Sequence, residues 1–242
     1  MDAIAYQSLR DLQDEHWWFV GRRKIISELI RHLITLPKSA RILEAGCGYG
    51  GNLNMLGQFG DLHAFEYEDG ARAYASTLLN KPVAPAFLPD NIGFTGDTFD
   101  LVAMLDVLEH IEDDVGSLRA LRERLREDGS ILITVPAVPW LWSDHDEIHH
   151  HKRRYTKAGL RQVLQQAGLK VDHVSYFNTL LFPLALAQRL ASRFSSKKFA
   201  GDSMPSRFVN GMLKSVFAFE NRLAWRINLP VGLSLYAVAR RV

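Results

Sequence analysis

Residues 42–51 read Ile-Leu-Glu-Ala-Gly-Cys-Gly-Tyr-Gly-Gly, an apolar run that ends in Glu44 and breaks into glycine. This pattern predicts a buried strand feeding a tight turn where a ligand meets bare backbone. Gly46, Gly48 and Gly50 lack a Cβ, so the turn is free to take positive φ and to offer N–H groups at contact distance. The spacing Gly46-x-Gly48-x-x-Gly51 also satisfies the dinucleotide-binding fingerprint, and Glu66 follows Gly46 by twenty residues, where a ribose-binding acid is expected. On the glycines alone, an NAD(P)-dependent oxidoreductase remains one reading of the chain.

Outward from this turn, strands are expected at about 41–45 and 62–66 around a helix beginning near Asn52, an alternation that predicts a parallel, doubly wound sheet. Gly46, Glu66 and Asp106 then fall at the carboxyl ends of strands, where such sheets bind ligands. A helix is expected over 8–34, stopped by Pro37. Residues 88–98 read as loop. Asp113 or Asp114 is expected to cap a helix whose Val115, Leu118, Leu121 and Leu125 face the sheet, with Gly129 past its end. Thr156 opens a further helix to Ala167, Gly168 stops it, and 169–177 reads as a sixth strand.

Five stretches carry a family resemblance. Glu44-Ala-Gly46-Cys47-Gly48-Tyr-Gly50 resembles motif I of class I S-adenosylmethionine (SAM)-dependent methyltransferases. His63-Ala-Phe-Glu66 is similar to their second strand, 99–110 with its Asp106-Val-Leu-Glu109-His110 ending to the fourth, 129–136 to the fifth, and 229–241 to the last. The resemblance implies an α/β, Rossmann-like fold with a mostly parallel sheet, an antiparallel last strand and SAM as cofactor. It further implies that backbone at Gly46, Cys47 and Gly48 meets the aminoacyl end of the cofactor and that Glu66 accepts from both ribose hydroxyls. Tyr67 and Leu88 would sandwich adenine, Leu105 and Asp106 would border the methionine moiety, and Glu44 would serve as a structural acceptor beside Gly50. In similar enzymes the N-terminal segment folds over the cofactor, which would bring Arg22 or Arg23 to its carboxylate. The residues do not choose between the two arginines, and Trp17-Trp18-Phe19 reads equally as core.

A chain of 242 residues with 47% hydrophobic and 23% charged residues suits one domain over 1–242, with a helical cap at 1–38 and a helical insertion at 178–228 before the last strand. A net charge of +2 does not favour nucleic acid, and Cys47, the one cysteine, excludes an intrachain disulfide. The N-terminal residues do not read as a secretory signal, so a cytoplasmic location is expected. The helix expected over 180–198 places Leu180, Leu184, Ala187, Ala191 and Phe194 opposite Arg189, Arg193, Lys197 and Lys198, a pattern suited to peripheral contact with an anionic inner membrane surface and a lipid-linked acceptor.

The segment 136–155 carries Trp140, Trp142, His145, His149, His150, His151, Arg153 and Arg154 where the family builds its acceptor site. His145 and Asp146 are the catalytic candidates, since an imidazole is suited to taking a proton from a hydroxyl or amine. Three adjacent histidines cannot all face one ion, so no metal is assigned. The acceptor is a small molecule, a glycan or a lipid-linked compound on this reading, and the rival from another class is a SAM-binding interaction module without turnover.

Overall fold

The computed structural model describes residues 10–193 and 203–241. The elements run α1 (Trp17–Leu33), β1 (Arg41–Ala45), α2 (Leu53–Leu56), β2 (Asp61–Glu66), α3 (Asp69–Leu79), β3 (Ala84–Pro85), β4 (Phe99–Leu105), α4 (Asp114–Arg122), β5 (Leu125–Pro136), α5 (Asp144–Ile148), α6 (Lys157–Gln166), β6 (Leu169–Phe177), α7 (Phe182–Arg193), α8 (Arg207–Ala224) and β7 (Ser234–Arg241). The strands form one sheet in the order β3-β2-β1-β4-β5-β7-β6, parallel except for β7, which runs antiparallel to both neighbours. This is the Rossmann-like arrangement expected.

The central strands are apolar at almost every position because helices cover both faces. On one face, Val102, Met104, Ile131 and Ile133 meet Leu118 and Leu121 of α4 and Leu160 and Leu164 of α6. On the other, Ile42, Leu101, Ala103 and Leu132 meet Ile25, Ile26 and Leu29 of α1 together with Phe217 of α8. The sheet grows in opposite directions from β1 and β4, so a crevice opens between their carboxyl ends.

The sequence expectation and the structure part at three places. The helix expected over 8–34 is interrupted: the chain turns at 13–16, and His16 Nδ1 accepts from the Trp18 amide at 3.3 Å as the cap of α1. The helix after Asp113 ends at Arg122, and Leu125 opens β5 opposite Phe99. Leu125 lies four residues beyond Leu121 and so continues the helical period in sequence. It reaches the core from a strand that bulges between Leu125 and Ser130, with Arg126 paired to Asp100 across the bulge. Lastly, the stripe expected on 180–198 is not buried at its start, where Leu180 is 43% and Leu184 57% exposed; Phe194, Lys197 and Lys198 lie outside the described residues.

The insertion before β7 is part of the core. Phe217 is 1% exposed and stacks on Trp18 at 5.6 Å, while Trp18 stacks on Phe177 of β6. α1 crosses α8 at Gly21, where a Cβ would lie 2.2 Å from the Phe217 ring, so the contact requires glycine. Asn210 of α8 accepts from the Trp17 amide at 2.8 Å and donates to the Glu15 carbonyl at 2.9 Å. Glu220 accepts from the amides of Thr179 and Leu180, and the Tyr236 hydroxyl of β7 donates to the carbonyl of Ala224. Phe217→Ala is expected to cost about 3–5 kcal/mol, the range for emptying an aromatic core site, read by urea unfolding. A loss below about 1 kcal/mol would show α8 to be a loosely held appendage.

Candidate functional site

Three backbone segments converge on the crevice. After β1 the chain turns at Gly46, whose φ of +73° and approach of 3.0 Å between a Cβ and the Val107 side chain leave room for no other residue without strain. The amides of Gly46 and Cys47 both donate to the Phe65 carbonyl, which locks the turn onto β2. At the end of β2 the Glu66 carboxylate is 7% exposed; Oε2 accepts from the Gly48 amide at 2.7 Å and Oε1 from the Glu68 amide at 3.0 Å. After β4, Asp106 takes a φ of +55°, a conformation a non-glycine residue holds only where surrounding contacts impose it.

Those contacts come from the cap. Arg22, buried in α1, places Nε 2.7 Å from Asp106 Oδ2 as an ion pair without hydrogen-bond alignment, and its two other nitrogens donate to Thr134 Oγ1 and Asn52 Oδ1. Asn52 in turn donates to Glu44 Oε1 at 2.8 Å, and Thr134 donates to Asp106 Oδ1. Of the two arginines the sequence left open, Arg22 is the one that faces Asp106. Arg23 lines a separate surface cleft with Lys24, Glu28 and Arg31. Glu44 Oε2 is buried and has no hydrogen-bond partner. Burial, opposed by the hydrogen bond from Asn52 and the charge of Arg22, pushes this carboxyl up to about 7.

The remaining expected residues flank this core. Burial holds the Cys47 thiol well above its ordinary range, which leaves it neutral and unreactive. Gly50 and Leu105 lie in the turn and at the strand end beside Gly48 and Asp106. Tyr67 is 73% exposed just past Glu66 and meets Phe87 edge to face at 6.0 Å, with Leu88 next in the chain and half-buried. Phe87 carried no motif in the sequence and emerges only from this contact.

Beyond Asp106, the turn 108–110 meets the segment after β5. That segment contains a short helix, α5, whose capping box joins Ser143 and Asp146. His145 on α5 stacks obliquely on His149 at 4.2 Å, and His151 lies 4.7 Å from His110, edge to face. Asp146 is fully buried. Its Oδ1 accepts from Arg154 Nε at 2.7 Å and pairs with His151 Nδ1 at 2.9 Å, while Oδ2 accepts from Arg154 at 2.9 Å and from the Ser143 amide. Burial pushes this carboxyl up, but the hydrogen bonds from His151 and Arg154 outweigh it and hold it well below the usual carboxylate range. Burial, then His151 and His149, push His110 down to about 3, so its ring is neutral at physiological pH. Burial and the charge of Asp106 raise Glu109 well above its ordinary value.

Residues 18–174 match the family model described as a methyltransferase domain. The chain belongs to the methyltransferase domain family. As a class I enzyme of that family it uses SAM as its cofactor. No curated protein matches the methyltransferase closely enough to be counted a relative. Among solved structures it is similar to a TehB-like SAM-dependent methyltransferase from Corynebacterium glutamicum, at 17% identity over 92% of this chain and 88% of that one, with a TM-score of 0.53. It is also similar to a geranyl diphosphate C-methyltransferase from Streptomyces coelicolor (13% identity, 90% and 80% coverage, TM-score 0.56) and to the [4+2]-cyclase SpnF (15%, 90% and 81%, 0.58). These likenesses establish the fold. That a cyclase shares it means that the acceptor chemistry must be argued from side chains.

The Asp146 ion pair holds α5 against the core of the methyltransferase. Asp146→Asn leaves the buried Arg154 without a counter-charge and is expected to cost about 3–5 kcal/mol in urea unfolding. A variant as stable as the parent would show that the segment is held by other contacts.

Proposed function

We propose that the enzyme binds SAM across the crevice between β1 and β4 and transfers its methyl group to a lipid-linked acceptor at an anionic membrane surface. The observation that carries the cofactor reading is the chain of buried polar groups from Glu44 through Asn52 and Arg22 to Asp106, which leaves Glu44 Oε2 without a partner at the glycine turn. A buried, partnerless carboxylate fits a cationic amine, and the aminoacyl end of SAM carries one together with a carboxylate that Arg22 suits. Glu66, fixed at the end of β2 by two amides, fits a ribose diol; Tyr67, Phe87 and Leu88 offer apolar surface for a base. SAM supplies an electrophilic methyl group. The chain's own residues orient it, exclude water and receive the proton released by the acceptor, for which His145 is our candidate base. Asp146, with both oxygens engaged, acts in this reading as a positioning residue.

The acceptor reading rests on the insertion. Residues 178–228 carry eight Lys and Arg against two Asp and Glu, a net +6 in a chain whose total is +2, which leaves −4 for the remainder. The outward side of α8 exposes Phe208 (81%), Met212 (50%) and Phe219 (57%) among Arg207 and Arg222. Apolar anchors between basic residues are the pattern of a helix lying in a headgroup layer. Among the described residues no helix is long and apolar enough to cross a membrane.

Calorimetry with SAM tests the cofactor site. Glu66→Ala is expected to weaken binding at least about tenfold, since hydrogen bonds to a charged acceptor are worth ~1.5–3 kcal/mol. In the free protein Glu44 is protonated below about 7. Binding an amine favours its carboxylate, so affinity should rise with pH up to that value, level off above it, and release a proton on the acid side. Unchanged affinity in Glu66→Ala together with a flat pH profile refutes the site. Sedimentation with phosphatidylglycerol vesicles tests the surface: binding at low salt that is lost at high salt, and lost in a Phe208→Ser/Phe219→Ser double variant, is expected. Absence of sedimentation at low salt removes the membrane.

A further inference from the structure

We propose that Glu109, His110 and His151 form a binding site for a divalent transition-metal ion of the zinc type at the acceptor end of the crevice. Each offers one ligand atom, and the three atoms lie within 4.8 Å of one another. A tetrahedral zinc ion with bonds of about 2.1 Å would hold them roughly 3.4 Å apart, a closure of at most about 1.4 Å from the spacing present.

Three further observations point to an ion rather than to a chance cluster. Glu109 is 1% exposed and its Oε2 has no hydrogen-bond partner, although a carboxylate oxygen of this residue lies within 4.8 Å of a nitrogen of each imidazole. Next, His151 Nδ1 is engaged by Asp146 at 2.9 Å, which leaves Nε2 to face the cluster. A carboxylate on the far nitrogen is the arrangement that orients metal-bound histidines, and Asp146 is itself fixed by Arg154 and Ser143. Likewise His110 meets the His151 ring edge to face at 4.7 Å, which brings the two imidazoles together at the carboxylate.

The ligand set selects the ion. Two imidazoles and one carboxylate suit zinc, cobalt, manganese or iron(II), and three protein ligands leave at least one coordination position open. His110 keeps partial solvent exposure, which gives an oxygen of water or of an acceptor a way to that position. The site joins the turn after β4 to the segment after β5, and so would also fasten α5 to the sheet. In the sequence the cluster is hidden, because Glu109 and His110 stand 41 or more residues from His151, whereas the conspicuous run is 149–151.

The inference does not depend on the acceptor, and its test reads binding to the chelator-treated protein without turnover. Titration calorimetry with Zn²⁺, and visible absorption with Co²⁺, should show one ion per chain; Glu109→Gln, His110→Ala and His151→Ala should each weaken binding by at least about tenfold, the lower bound for changes even in the groups that support a metal's ligands. His173→Ala, on the exposed face of β6, should leave it unchanged. Circular dichroism of each variant separates lost binding from lost folding, and a Zn²⁺-dependent rise in the parent's melting temperature gives a readout that needs no variant. No stoichiometric binding by the parent overturns the proposal. So does binding that survives Glu109→Gln and His110→Ala but disappears in His145→Ala, since the ion would then sit on the His145–His149 pair.

Discussion

The buried guanidinium of Arg22 is the constraint to which the crevice answers. It is a charge taken out of water, and such a charge persists only with a counter-charge and hydrogen-bond acceptors close by. Asp106, Thr134 and Asn52 meet those needs from β4, β5 and the turn after β1. The cap helix therefore cannot shift without stranding the charge. Asp106 is held in its left-handed backbone conformation by the same contact. Helix α1, though it lies far in sequence from Asp106 and Thr134, is in this sense the keystone of the crevice.

That the charge can be buried at all depends on how α1 is seated. Its other side packs through Trp18 and Gly21 onto Phe217 and Phe177. Stacked aromatic rings give the contact area and geometric definition that a long arginine side chain lacks. The aromatic block and the arginine are thus two ends of one device. The rings set the height and rotation of the helix, and the guanidinium reports that setting to the crevice. Trp17 and Trp18 pack against the core, and Arg22, one turn on, faces Asp106.

Much of this was legible because it is local. The strand at 41–45, the glycine turn, the cap at Thr156 and the strand over 169–177 are each written within a few residues, and each stands where expected. What could not be read depends on partners distant in sequence. Leu125 continues a helical period yet enters a bulged strand, because pairing with Phe99 overrides the period. The choice between Arg22 and Arg23 is a choice of helix rotation, set by Phe217 some 190 residues away. In the candidate acceptor segment, composition drew notice to the histidines, but Asp146 is explained only by Arg154 and His151 folding back upon it.

The position of β7 bears on how the molecule is made. It lies between β5 and β6, and among the described residues β7 is the one strand that pairs with β6. During synthesis β6 must therefore wait, with its backbone groups unpaired, while the whole insertion and then β7 leave the ribosome. Throughout that interval the core cluster that holds Phe177 lacks Phe217 of α8, so a hydrophobic edge strand and an amphipathic helix are exposed together. Placing β7 between β5 and β6 makes the closure of this side of the sheet wait until the whole segment between β6 and β7 has been made.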